Sequence, residues 1–166
     1  MVILGVDPGL AIVGWGVIEY KNARFRTIAY GSIQTPAGMR TEERLKEIYK
    51  GMCDLIETYH PEAVAVEELF FTNNITTGIR VAEARGVILL AAEQAGLDIH
   101  EYTPPQVKQA VVGYGRAEKK QVISMVTMLL ALKAPPKPDD TADALAIAIC
   151  HAHSGASRLA GYYNKP

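Results

Sequence analysis

"PDDTADALAIAICHAH", Pro138 to His153, is a helix of alanine, leucine and isoleucine that opens on three acids. Acids suit the positive end of a helix dipole, and Asp139 or Asp140 is placed to cap the first turn. Asp143 does not fit that explanation. It lies between Ala142 and Ala144 on a helix with little polar surface, where an ionised carboxylate is costly unless a lysine or a metal compensates it. So slender a helix packs closely only on a shallow surface, and the first and fourth strands of the chain supply one.

"VILGVD" (Val2–Asp7) reads as a buried strand running into the proline- and glycine-punctuated turn "DPGLAIVG". "GWGVIEY" and "RFRTIAYGSI" follow as two further strands around a short turn at Lys21–Ala23, an antiparallel meander. Leu45, Ile48, Tyr49, Met52, Leu55, Ile56 and Tyr59 recur at helical steps from Thr41 until Pro61 ends the pattern. "EAVAVE" is a fourth strand, the segment from Thr76 to Ala95 a second long helix, and "LDIHEY" a fifth strand. Thr103, Pro104 and Gln106 form a capping box with proline at the first helical position, opening a helix to Val112. After "GYGRAE" another helix runs to about Leu132, and "APPKP" delivers the chain to the aspartate helix. A helix between the third and fourth strands is long enough for a crossover that sets the fourth parallel beside the first. The expected fold is α/β, a mixed five-stranded sheet of three antiparallel and two parallel strands with helices on both faces.

The 166 residues suit a single domain, 1–154, followed by a polar tail, 155–166. Hydrophobic content of 49% and a charged fraction of 21% describe an ordinary folded chain rather than a disordered one. No apolar run reaches the length of a bilayer span and the first residues lack a basic, cleavable leader, so a cytoplasmic location with no membrane partner is expected. Cys53 and Cys150 have no metal-ligand spacing and read as buried thiols. His151 and His153 read as surface residues favouring the negative end of their helix. A net charge of −1 hides an asymmetry: Lys108, Arg116, Lys119, Lys120, Lys133 and Lys137 face only Glu118 between Pro104 and Lys137.

Parallel neighbours bring their C-terminal ends together, and the first and fourth strands end in Asp7 and Glu67. Alternation favours Glu67 over Glu68, because Ala63, Ala65 and Glu67 share a face as Ile3, Gly5 and Asp7 do. Gly5 and Ala65 leave that face shallow enough for the alanine-rich helix, whose Asp140 and Asp143 stand three residues apart on one side. Four carboxylates at one point repel unless a cation joins them. All-oxygen ligation suits Mg²⁺, with Mn²⁺ as a substitute, and two such ions about 4 Å apart would serve an in-line phosphoryl displacement.

"GVDPGLAIVGWGVI", "AVEELFFTNN", "ARGVILLAA", "VKQAVVGYGRAEKKQV" and "DDTADALAIAICHAH", in this order, resemble the RuvC family of Holliday junction resolvases from the first residue to about His153. The resemblance implies a ribonuclease-H-like fold and a homodimeric, Mg²⁺-dependent endonuclease that nicks two opposed strands of four-way junction DNA in recombination and repair, alongside the RuvA and RuvB branch-migration proteins. It carries the catalytic and metal-binding acids onto Asp7, Glu67, Asp140 and Asp143, its D-x-x-D register leaving Asp139 as the cap. It makes Phe70 a ring that stacks on an unpaired base, and Lys108 and Lys119 contacts to the scissile strand, with Lys120 and Arg116 as further backbone contacts. The apolar run "GVILLAA" of the second long helix suits a dimer surface and core packing equally well. A catalytically inactive module that binds branched DNA by shape is the main alternative.

Overall fold

The computed structural model describes residues 1–69 and 75–156. Three strands, β1 (Val2–Asp7), β2 (Ile12–Lys21) and β3 (Arg24–Gln34), precede α1 (Thr41–Tyr59), β4 (Ala63–Glu67), α2 (Ile75–Gln94), β5 (Asp98–Tyr102), α3 (Pro104–Val112), α4 (Lys119–Leu129) and α5 (Asp139–Ala156). The sheet order is β3-β2-β1-β4-β5. β1 is antiparallel to β2 and parallel to β4, and β4 is parallel to β5. This is the expected mixed sheet. The β2–β3 turn carries Asn22 and Ala23 at φ 53° and 57°, the positive values that match the twist of a tight hairpin. β2 starts at Ile12, paired with Gln34, so the turn after Asp7 is shorter than its glycines suggest.

The two sheet faces bury separate cores. Leu4, Val6 and Val17 face α1 and α2, where Ile48, Met52 and Ile88 are fully buried. Ile3, Ile18 and Ala65 face α3, α4 and α5 through Val107, Val126 and Leu145. The capping box of α3 forms as read: Gln106 N–H donates to Thr103 Oγ1 and Thr103 N–H to Gln106 Oε1, at 3.4 and 2.8 Å. α4 ends at Leu129, earlier than its apolar pattern suggests. Ala131 adopts φ 49°, and the N–H groups of Ala131 and Leu132 bond back to the carbonyls of Met128 and Thr127, a Schellman closure made by an alanine where glycine is usual.

α5 crosses β1 and β2 at backbone contact. A Cβ on Gly5 would stand 2.1 Å from the Ala144 carbonyl oxygen and 2.8 Å from the Ala148 Cβ. One on Gly14 would stand 2.0 Å from the Asp140 carbonyl oxygen. Thr141 Oγ1 donates to the Gly31 carbonyl at 3.1 Å, fixing the start of α5 against β3. The helix runs through Ala156, and residues 157–166 of the expected tail lie outside the described residues. Among the described residues no helix is long and apolar enough to cross a membrane. Cys150 is buried but Cys53 only partly so, and both are free thiols.

Candidate active site

The pairing of Val6 with Val66 sets the next residues, Asp7 and Glu67, side by side at the ends of β1 and β4. Asp7 is paired on its other side with Gly14, the glycine against which the Asp140 backbone rests. The close approach of α5 thus lowers Asp140 onto the strand end, with Asp143 about one turn further along the same helix. The register of the sheet and the missing side chains of Gly5 and Gly14 bring the acids together.

Their electrostatics record the crowding. The Asp7 carboxyl is pushed well above the ordinary aspartate range, first by burial and then by the charges of Asp143, Glu67 and Asp140. Burial and the charge of Asp143 also raise Glu67, while Lys108 and Lys119 oppose that shift. Asp143 is raised by burial, against the pull of Lys119, whose Nζ donates to Asp143 Oδ2 at 2.9 Å. For Lys119, burial acts downward, but the bond and charge of Asp143 outweigh it and the ammonium is held above its usual range. Glu67, Lys108, Lys119 and Asp143 line a cleft of about 200 Å³.

Asp139 is the first residue of α5 rather than the cap before it; it is exposed, with its carboxylate 3.8 Å from Lys119 Nζ. Arg116 and Lys120 are exposed on the connection into α4 and on its first turn. Phe70 lies outside the described residues. Arg85, in the "ARG" of α2, forms an ion pair with Glu101 at 2.7 Å and its Nε donates to the Glu67 carbonyl at 3.3 Å, bracing the end of β4.

His151 is not a surface residue. It is buried, its Nδ1 2.7 Å from the Tyr102 hydroxyl and its ring stacked 4.2 Å from His100, because the crossing of α5 turns this position toward β5. Burial, with the neighbouring His100, lowers its pKa to about 4. His153, half-buried, sets Nδ1 3.1 Å from the Ala110 carbonyl.

Gln121 is a participant that the sequence reading overlooked. Its Oε1 accepts from the Glu118 N–H and the Tyr114 hydroxyl, each at 2.8 Å, and so fixes the N-terminus of α4 from which Lys119 reaches Asp143. The E-x-x-Q spacing of a capping box was the available signal.

As placed, no three carboxylate, imidazole or thiol groups among the described residues are drawn together tightly enough to grip one ion. The donor chemistry nonetheless fits a hard divalent cation. Asp7 is surrounded by three carboxylates, all candidate ligands are oxygen, and the ammonium of Lys119 offsets only part of the charge.

A β3-β2-β1-β4-β5 sheet with acids at the ends of β1 and β4 and on the helix laid across them defines the ribonuclease-H-like class. Residues 3–151 match the family model for the crossover junction endodeoxyribonuclease RuvC. The chain is 58% identical over 154 residues to that endonuclease from Clostridioides difficile, covering 93% of this chain and 91% of that protein. With the enzyme from Heliobacterium modesticaldum it is 61% identical, covering 93% and 95%. A solved structure, Thermus thermophilus RuvC in complex with Holliday junction substrate, superposes with a TM-score of 0.87 at 40% identity over 92% of this chain and 93% of that one. The chain belongs to the RuvC family.

Proposed function

We propose that this chain is an endodeoxyribonuclease that resolves four-way DNA junctions in recombination and repair, by paired symmetric nicks in opposed strands. The observation that carries the reading is the meeting of Asp7, Glu67, Asp140 and Asp143 beside Lys119, in a chain that shares the family's sequence along most of its length.

Asp7, Glu67, Asp140 and Asp143 would hold the divalent cations, Mg²⁺ by their oxygen donors, with Mn²⁺ able to replace it; bound there, such ions neutralise the carboxylates and stabilise the charges of phosphodiester hydrolysis. Lys119 and Lys108 flank the cleft from α4 and α3, where an ammonium can hold a phosphate oxygen and counter developing charge. The Lys119–Asp143 pair keeps the ammonium at the cleft before substrate arrives. Arg116 and Lys120 are exposed for contacts with the DNA backbone, and Phe70 would stack on an unpaired base. Two copies of the chain would supply the two cuts; Ile79 and Leu90, half exposed on α2, are apolar side chains such a dimer would cover. RuvA and RuvB are the partners expected to deliver the junction, in the cytoplasm.

The chemistry is tested at the product ends. Nicks carrying 5′-phosphate and 3′-hydroxyl will be sealed by a DNA ligase; ends bearing 3′-phosphate would contradict the hydrolysis proposed.

A further inference from the structure

Lys133 and Lys137 belong to the basic stretch of the sequence, yet neither lies in the cleft of acids. Both line an open groove between the edge strand β3 and the α4–α5 connection, together with Arg26, Tyr30 and Phe25. A second groove, lined by Lys120, Thr127 and Met128, shares Ala131, Leu132 and Pro135 with the first. All the charged side chains along this continuous path are cations: Arg26, Lys133, Lys137 and Lys120. Arg26 is paired with Glu19 at 2.8 Å, whereas among the described residues Lys133 and Lys137 have no ion-pair partner.

The path is stiff and adjoins the acids at two places. Its floor is held by the Schellman closure of α4 and carries Pro135 and Pro136, whose fixed φ limits the freedom lost when a ligand binds. Lys137 lies three residues before Asp140, and Lys120 directly follows Lys119. A chain of negative charges that runs from the cleft along this side would meet this run of cations. An open groove of spaced ammonium groups over apolar walls suits phosphates separated by sugar faces, and contacts of this kind position without reading bases.

We propose that this groove is a second DNA-binding track, which takes the phosphate backbone of a duplex arm beyond the point of cleavage. The proposal rests on the nuclease reading above; it shares Lys120 with that reading and adds Arg26, Lys133 and Lys137. Its occupant is duplex DNA, and an acidic protein partner is the competing outcome.

The test compares the full-length protein with the double variant Lys133→Gln/Lys137→Gln, and with Lys46→Gln/Lys50→Gln, which removes the same charge from α1. Each is first shown by its melting curve to be folded. Binding is measured in Ca²⁺ across a salt series, on a junction with long arms and on one whose arms are hairpin-capped after about six base pairs, roughly 20 Å. The groove variant should bind the long-armed junction about tenfold more weakly at moderate salt, with the slope of log Kd against log salt reduced by roughly two. On the short-armed junction the difference should vanish, and the α1 variant should match wild type on both. Equal affinities and slopes for the groove variant and wild type on long arms would overturn the track. An equal loss in the α1 variant would also overturn it, as a net-charge effect. Failure of wild type to prefer junctions would count against the nuclease reading instead; the groove is then judged by the same comparison on long plain duplex.

Discussion

Lys119, the first residue of α4, donates from Nζ to Asp143 Oδ2 on α5 at 2.9 Å, with Asp139 Oδ2 3.8 Å away. The pair joins residues 24 positions apart and places one cation at the edge of a cluster whose members repel each other. Replacing it by Lys119→Met should lower single-turnover cleavage of a saturating junction by about 100-fold, the usual scale for losing a group that counters developing charge. Lys119→Arg should recover part of that loss. Cleavage by Lys119→Met at the wild-type rate would make the pair merely structural.

The acids should burden the metal-free protein. Asp7 is held above its ordinary range, so the folded state binds its proton more tightly than the unfolded chain does. Stability attributable to Asp7 therefore falls as pH rises from the ordinary aspartate range through its raised folded value. Asp7→Asn, which abolishes cleavage on this account, should consequently melt higher than wild type at neutral pH without divalent ions. A gain of about 3 °C corresponds to roughly 1 kcal/mol in a chain of this size. Millimolar Mg²⁺ should raise the wild-type melting temperature more than that of the variant, because a ligand of the folded state alone stabilises it.

His151 gives the opposite dependence. Its folded value, about 4, lies below the ordinary histidine value of 6.5, so between them the unfolded chain binds more protons and stability drops as pH falls from 6.5 toward 4. His151→Gln should flatten this part of the profile in chemical denaturation, with Mg²⁺-saturated protein used to keep the acids from obscuring it. An unchanged slope would mean that His151 does not carry the acid sensitivity.

Gly14 couples packing to the site. Gly14→Ala drives a methyl into the Asp140 carbonyl, 2.0 Å away, so α5 must lift. The expected cost is about 3 kcal/mol, with cleavage impaired more than junction binding. Gly16→Ala meets Leu145 Cδ2 at 2.5 Å and Cγ at 2.7 Å, with the Leu145 Cα at 3.4 Å, and should be milder, because the backbone of α5 is not struck as closely as at Gly14. Equal destabilisation by the two would argue against α5 as the rigid support of Asp140.

Much of this was legible because it depended on local rules. Alternation in "VILGVD" and "EAVAVE" assigned Asp7 and Glu67 to one face, and Gly5 with Ala65 pointed to the slender helix that covers it. The capping box at Thr103 set the start of α3. What escaped depended on three-dimensional contact or on unusual residues. Ala131 ends α4 in a conformation that glycine would have signalled. His151 lies beneath β5 because of the angle at which α5 crosses the sheet, which helical periodicity does not contain. Likewise the partnership of Lys119 with Asp143 and the shared groove of Arg26 with Lys133 join segments that only the fold makes neighbours.

The most direct measurement is cleavage of a partly mobile synthetic four-way junction in Mg²⁺, beside linear duplex and an RNA:DNA hybrid, by wild type and Asp7→Asn. Wild type should make symmetric, ligatable nicks in the junction alone, and Asp7→Asn should bind the junction and make none. Binding of the junction by wild type without cleavage, in Mg²⁺ and in Mn²⁺, would contradict it and leave a recognition module whose acids serve only structure.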